Sequence, residues 1–263
     1  MDNDHLRLLR ETEIEKVVHI FKKKYPSPAR IIELGAGAGW QAKYLADQGY
    51  LVNAIDICAS DYVNLQIWPV ITYDGKKIPF EDKTFDIVFS SNVLEHIEHI
   101  DDYEKEILRV LKDDGSAIHV LPSFSWRYWT AVMHYPGVAK KILKKLKQCE
   151  SSDPNSPTKT KNTRTVEASR NTLFKTFLNN LFPRRHGERG TIINELYLFS
   201  KTAWYRHFSD NAWIVEDVLE SDLFYTGYSI FGSLISIEVR KYLSKILGSS
   251  CNIFILKKNT CSP

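Results

Sequence analysis

Cysteine is scarce and scattered in this chain. Cys58, Cys149, Cys251 and Cys261 are the only four in 263 residues, and no two form a C-x-x-C pair. The spacing indicates neither a zinc site nor a disulfide framework, and no metal is expected. Long apolar runs are also missing: nothing approaches the roughly 20 consecutive apolar residues of a membrane span. Charge of one sign is not in excess, since 35 basic against 32 acidic residues leave a net +3. That balance is too mild to imply a nucleic-acid partner, so local clusters matter more than the total. The opening residues, MDNDHLRLLRETEIEK, have no apolar centre. They are not expected to act as a secretory signal, and a cytoplasmic location is expected.

What is present is ordinary for a soluble enzyme: 43% hydrophobic and 25% charged residues. The length suits one large α/β domain carrying an insertion. Ile14, Val17, Val18 and Phe21 have helical spacing over Glu11 to Tyr25, and Pro26 and Pro28 end that run. ARIIEL then reads as a buried strand, WQAKYLADQG as a helix stopped by Gly49, and YLVNAIDI as a second strand. WPVITYD and TFDIVFSSN are a third and a fourth. DDYEKEILRVLKDDG reads as a helix with Leu111 on its apolar face, and SAIHVLP as a fifth strand. This alternation predicts an α/β, doubly wound parallel sheet with helices on both faces. Its ligand is expected at the carboxyl ends of the strands, where Glu33, Asp56, Asp74 and Asn92 fall.

Four segments are expected: an N-terminal helix over 1–28, a cofactor-binding core over 29–122, an insertion over 123–190 for acceptor recognition, and a C-terminal completion of the sheet over 191–263. The polar run CESSDPNSPTKTKNTRT makes part of the insertion an expected mobile stretch. Beyond it LYLFSKTAWYRHFSDN reads as a helix, AWIVEDVLES as a strand, LISIEVRKYLSKILG as a helix and CNIFILKK as the last strand.

The stretch RIIELGAGAGW decides the ligand class. A dinucleotide fingerprint is G-x-G-x-x-G, its third glycine allowing close helix–strand packing. Here Gly35, Gly37 and Gly39 follow one another at every second position and Trp40 takes the third glycine's place. The pattern is therefore G-x-G-x-G, preceded by the acid Glu33. It resembles the first motif of the class I S-adenosylmethionine-dependent methyltransferases. YDGKKIPFEDKTFDIVFSSNVLEHI resembles the later motifs of that family's small-molecule, type 11-like branch. The resemblance covers about Ala29 to Pro122 together with the closing strands. It implies a seven-stranded, mostly parallel, Rossmann-like sheet and S-adenosyl-L-methionine as cofactor. It also implies a site of Glu33, Gly35, Ala36, Gly37 and Gly39 in the turn, Asp56 on the ribose hydroxyls with Ile57 beside it, Asp74 and Gly75 near the adenine amino group, and Ser91 and Asn92 along the methionine end. A carboxylate at Asp56 can accept hydrogen bonds from both ribose hydroxyls. Asp86, just inside its strand, is read as structural.

The reaction implied is in-line displacement at a sulfonium methyl group, in which the protein mainly positions and desolvates. A general base is needed only for a hydroxyl or a protonated amine. His96, His186 and Glu188 are the candidates for catalysis. His96 follows the fourth strand in NVLEHIEHI; the alternative for it is a packing role, and His99 reads as a surface residue. His186 and Glu188 lie in RRHGERG, where Arg184, Arg185 and Arg189 suit a phosphate or carboxylate; the alternative is a solvated loop. The run from HGE to ELYLFSKTAWYRHFSDN resembles methyltransferases of bacterial cell-surface glycan pathways.

One further segment bears on partners. Trp126, Tyr128, Trp129 and Tyr135 precede an expected basic amphipathic helix, with Val138, Ile142, Leu143 and Leu146 on one face and Lys140, Lys141, Lys144, Lys145 and Lys147 largely on the other. Such a segment, 126–148, suits peripheral contact with the inner face of a membrane, a nucleic-acid groove, or plain packing on the core. The expected acceptor is a small molecule, a glycan or a lipid-linked molecule. Nucleic acid is disfavoured, because SNVLEHI stands where many base-modifying enzymes carry N/D-P-P-Y/F. Two rivals have other chemistry. A dinucleotide-dependent reductase or epimerase is opposed by Trp40 and by the lack of a Y-x-x-x-K pair. A non-catalytic cofactor-binding module would keep the turn and lose the transfer.

Overall fold

The computed structural model describes residues 3–57, 66–150, 183, 185–188, 190–227 and 234–259; for 3–6, 140–150 and 192 it describes the backbone alone. Cys58, Cys261, Arg184, Arg189 and the polar run from Ser151 on lie outside the described residues, as do the side chains of the lysine-rich face beyond Ala139.

The described elements run α1 (Asn3–Lys24), β1 (Arg30–Leu34), α2 (Trp40–Asp47), β2 (Leu51–Ile57), β3 (Val70–Tyr73), β4 (Phe85–Ser91), α3 (Ile100–Val110), β5 (Leu111–Pro122), α4 (Phe124–Glu150), α5 (Ile192–Leu198), α6 (Lys201–Asp210), β6 (Trp213–Glu220), α7 (Ile237–Leu247) and β7 (Cys251–Lys258). They build one seven-stranded sheet in the order β3-β2-β1-β4-β5-β7-β6. All neighbouring pairs from β3 to β5 are parallel, and β7 runs antiparallel to both β5 and β6. This is the expected doubly wound, mostly parallel architecture.

Period-two alternation sorts the side chains between two cores. Ile31, Ile87, Phe89, Ile118, Val120, Ile253 and Ile255 face Ile14, Val17, Val18 and Phe21 of α1 and Leu45 of α2. Ile32, Leu34, Val88, Ala117, Phe254 and Leu256 face Tyr103, Ile107 and Val110 of α3 and Trp204 and Phe208 of α6. Strands buried on both faces read as continuous apolar runs, which is why the central strands were visible in the sequence.

Three boundaries differ from the sequence reading. Leu111 is not helical: it begins β5 opposite Phe85, and the ladder shifts before Ile87 meets Ser116. The amides of Lys83 and Thr84 take the carbonyls of Arg109 and Val110, so the incoming β4 ends the helix. The helix expected over 196–211 is two, because the Ser200 hydroxyl caps α6 by accepting from the Ala203 amide. Trp126, Tyr128, Trp129 and Tyr135 do not precede a helix; they are part of α4, which carries Pro136 inside it. Trp126 is buried, and Trp129 donates its indole N–H to the Leu247 carbonyl. Those two rings are thus bound into the fold, while Phe124, Tyr128, Val132 and Tyr135 remain exposed.

Phe89 is fully buried at the centre of the first core, and its ring meets Phe21 edge-on at 5.9 Å. Truncating it leaves a cavity under α1, so Phe89→Ala should cost about 3–5 kcal/mol in urea unfolding. A loss under about 1 kcal/mol would show that α1 is not held on this core.

Candidate functional site

The turn after β1 is built by backbone conformation. Gly35, Gly37 and Gly39 have φ of 66°, 55° and 80°, the left-handed region that side chains resist. Space enforces the choice at two of them. A Cβ on Gly35 would come within 2.4 Å of Val93, and one on Gly39 within 2.6 Å of Trp68. Ala36, between them, donates its amide to Ile55 and accepts from Gly39. Trp40 opens α2 with its ring half exposed, and the Arg7 guanidinium of α1 lies 3.9 Å over it.

Under this turn sits Glu33, 2% exposed, with Oε2 lacking any partner among the described residues. Burial pushes its pKa up to about 8; the Ala42 amide works against that rise and the nearby Asp56 charge adds to it. Asp56, on β2, accepts from the Gly37 amide at 2.7 Å with Oδ2 and from the Ile57 amide at 2.7 Å with Oδ1. Each oxygen keeps a lone pair for a ligand. On β3's far side Asp74 Oδ1 accepts from the amides of Lys76 and Lys77, which hold its pKa below the usual range. Gly75, at φ 77°, lies against Ile57. At the end of β4, Ser91 accepts from the Asn92 side-chain amide, and Asn92, just past the strand, is left-handed at φ 55°. The parallel ladders thus bring all eleven expected cofactor contacts to the carboxyl ends of β1, β2, β3 and β4. An orphaned buried carboxylate beside the free lone pairs of Asp56 suits a ligand with a cationic group and hydroxyls.

The three expected catalytic residues also gather. The His96 and His186 rings are 4.8 Å apart, and Trp126 lies 4.5 Å from His186 on its other side. Partial burial holds His96 below the ordinary imidazole value, against the pull of Glu188 and Glu195. Burial, with His96, Arg127 and Arg10 adding to it, pushes His186 down to about 4. Both are therefore neutral at pH 7. Glu188 is exposed, and its amide donates to the Glu95 carbonyl. Asp86 accepts from the Arg30 amide and from Lys112, which fits a structural part.

Several residues here were not singled out from the sequence. Glu195 of α5 is fully buried: Oε1 accepts from the amides of His186 and Gly187, and Oε2 from Arg127 Nε at 2.7 Å. It clamps the 185–188 loop onto α4. Gly187 is required there, since a Cβ would stand 2.9 Å from the Glu95 carbonyl. Glu95 is 2% exposed, both carboxylate oxygens lack a hydrogen-bond partner among the described residues, and burial pushes its pKa up to about 8. The one signal in the sequence was an acid inside an apolar helical stripe, and that pattern does not tell a buried acid from an exposed one.

Residues 32–119 match the family described as "Methyltransferase domain" (Methyltransf_11). The Rickettsia prowazekii protein called ubiquinone biosynthesis O-methyltransferase is 29% identical over 124 residues, 43% of this chain and 48% of that protein. The Corynebacterium kroppenstedtii demethylmenaquinone methyltransferase is 31% identical over 148 residues, 51% of this chain and 60% of that protein. The chain thus spans about half the length of these relatives. Among solved structures, the complex between the Haloferax volcanii Trm112 methyltransferase activator and a methyltransferase contains a chain that aligns over 97% of this one and 93% of its own, with a TM-score of 0.56 at 11% identity. That likeness shows the fold.

Removing the β2 carboxylate tests the turn. Asp56→Ala should weaken S-adenosylhomocysteine binding at least about tenfold, on the order of 1.4 kcal/mol, by calorimetry. Unchanged affinity in a folded variant would sink the assignment.

Proposed function

From a class I S-adenosylmethionine-dependent methyltransferase domain of the type 11 branch, which residues 32–119 form, we propose that the whole chain is an enzyme moving a methyl group to a hydroxyl of a small-molecule, glycan or lipid-linked acceptor. The cofactor supplies an electrophilic methyl group on a sulfonium. The observation that carries the reading is the meeting of the His96 and His186 rings, 4.8 Å apart, beyond β4, with Glu188 on the same loop tied through its amide to the Glu95 carbonyl. A hydroxyl must lose its proton as it attacks, as must a protonated amine or a carbon acceptor, so these groups suit an acceptor that gives up a proton.

Each residue has a part. Gly35, Gly37 and Gly39 let the backbone approach the cofactor, with Ala36 between them. Asp56 takes the ribose hydroxyls, Ile57 and Gly75 flank the adenine with Asp74 near its amino group, and Ser91 and Asn92 line the methionine end. Glu33 offsets the cofactor's ammonium charge. His96, His186 and Glu188 orient the acceptor and receive its proton, and Trp126 closes the side of the pocket. The relatives named above carry quinone names, which fits an acceptor with an apolar body. So does the exposed stripe Phe124, Tyr128, Val132 and Tyr135 at helical spacing on α4. No helix among the described residues is long and apolar enough to cross a membrane. A lipid-linked acceptor would come to this stripe from a membrane's inner face.

Titration with S-adenosylhomocysteine, with NADH in parallel, tests the reading first. Micromolar binding of the former alone supports it, and turnover on lipid-linked sugars or hydroxylated quinones completes it. Binding without turnover on any acceptor class would favour the non-catalytic module, and salt-sensitive RNA binding the nucleic-acid reading.

Glu33 makes the binding pH-dependent. Burial pushes its pKa up to about 8, above the ordinary 4.5. A raised value means that stability is full at acid pH and is lost as pH rises toward about 8. Glu33→Gln should flatten unfolding free energy over that window. A cationic ligand group restores the carboxylate, so wild-type binding at pH 7 should release close to one proton. Calorimetry in buffers of different ionisation enthalpy reads this release, and its persistence in Glu33→Gln would refute the assignment.

A further inference from the structure

We propose that Glu95, His96 and His186 form a site for a divalent transition-metal ion, zinc in the first instance, that takes the acceptor's hydroxyl oxygen as a further ligand. One ligand atom from each of the three can be chosen so that all lie within 4.8 Å of one another. His96 Nε2 stands 3.8 Å from Glu95 Oε1. Two imidazoles and one carboxylate are a donor set used by zinc and by other first-row metals that keep an open position.

The second observation is Glu95 itself. Its side chain is fully shielded from solvent, yet neither oxygen has a hydrogen-bond partner among the described residues. Buried polar atoms are almost always satisfied, and exceptions call for an unseen ion or water. Three of the other buried acids are satisfied by protein alone: Glu104 takes the Trp213 indole and His207, Glu195 takes Arg127 and two amides, and Glu13 takes Arg10 and Tyr225; Glu33, under the cofactor turn, keeps one oxygen without a partner among the described residues. Glu95 has the two histidines in front of it instead.

The geometry needs a modest closure. With metal–ligand distances of about 2.0–2.2 Å, tetrahedral donors sit roughly 3.3–3.5 Å apart. The widest pair must therefore approach by roughly 1.3–1.5 Å. The His96 and His186 side chains are partly open to solvent, so ring rotation supplies that movement, while Glu95 is held by burial. Glu195 fixes the backbone of His186 and acts as a positioning residue for the third ligand.

This deepens the proposed function and rests on reading that mouth as the acceptor's. A hydroxyl bound to the ion loses its proton more readily, as bound water does. The proton passes to solvent, to which the His96 and His186 side chains are open, and the metal-held oxygen keeps its electron pair for attack on the methyl carbon, the sulfonium sulfur leaving as a thioether. In this site His96 and His186 act as ligands.

The test is titration of the metal-stripped full chain with Zn²⁺ alone by calorimetry, with Co²⁺ as an optical probe, on wild type, Glu95→Gln and His186→Ala. The expected result is one zinc per chain at micromolar concentration, visible cobalt bands of a low-coordinate nitrogen and oxygen site, and at least roughly tenfold weaker binding in each variant. Circular dichroism checks folding; if Glu95→Gln does not fold, His186→Ala, on an exposed loop, and His96→Ala decide the matter. No stoichiometric zinc in wild type, or unchanged affinity in any folded variant, overturns the site. S-adenosylhomocysteine titrated into the same samples separates the two ideas: retained binding without zinc sinks the metal alone, and loss of it in wild type sinks the methyltransferase reading.

Discussion

Everything at the carboxyl edge depends on β1 pairing in parallel with β2 on one side and β4 on the other. The registers Leu34↔Ile55 and Leu34↔Ser90 set three chain segments level with one another. Because all three run the same way, their exits share one edge, and the residues just past them converge. Glu33 lies under the turn, Asp56 reaches the Gly37 amide, and Val93 presses on Gly35. A slip by one residue would send each of these side chains to the opposite face. The burial of β1 and β4 on both faces opposes such a slip, since every alternate side chain belongs to one core or the other.

The cluster of His96, His186 and Trp126 is assembled by a different device. Three elements distant in sequence meet there: the turn after β4, the start of α4, and the 185–188 loop. No strand pairing holds them. Instead the Glu195 carboxylate takes a guanidinium and two amides at once. A buried ion pair adds little net stability once its desolvation is counted, but losing one partner is costly. What this pair secures is position: it sets His186 between His96 and Trp126.

The residues expected at the cofactor turn were placed at the strand ends by local features of the sequence, whereas the cluster beyond β4 was visible only in fragments. The turn, Asp56 and the strand ends are local features, each a few residues from an apolar run that announces its strand. His96, His186 and Glu188 were each visible as residue types, but their meeting depends on folding across about ninety residues, which periodicity does not encode. The same limit explains the boundaries. Leu111 sits four residues after Ile107, so helical spacing claims it, yet the partner that ends α3 is Phe85 on β4. The break between α5 and α6 did have a local signal, Ser200 as a cap with Ala203 three residues on; a continuous apolar spacing across it hid the capping. Burial of Trp126 and Trp129 within α4 was likewise hidden, because an aromatic in an amphipathic stretch looks alike whether it meets core, lipid or ligand.

The buried acids tie these strands of reasoning together. An ionised carboxylate taken from water needs partners, and the fold provides them fully at Glu13, Glu104 and Glu195. Among the described residues it withholds hydrogen-bond partners at Glu33 in part and at both oxygens of Glu95. Those two lie on either side of the β1–β4 edge, one under the cofactor turn and one behind the histidine pair. Natural folds that leave such groups incomplete carry the cost where something else completes the site. In the proposed reaction a cationic cofactor group answers Glu33, and in the proposed metal site an ion answers Glu95. The two deficits thus stand on the two sides of one transfer: the donor's charge is met at the first, and the acceptor's proton is loosened at the second.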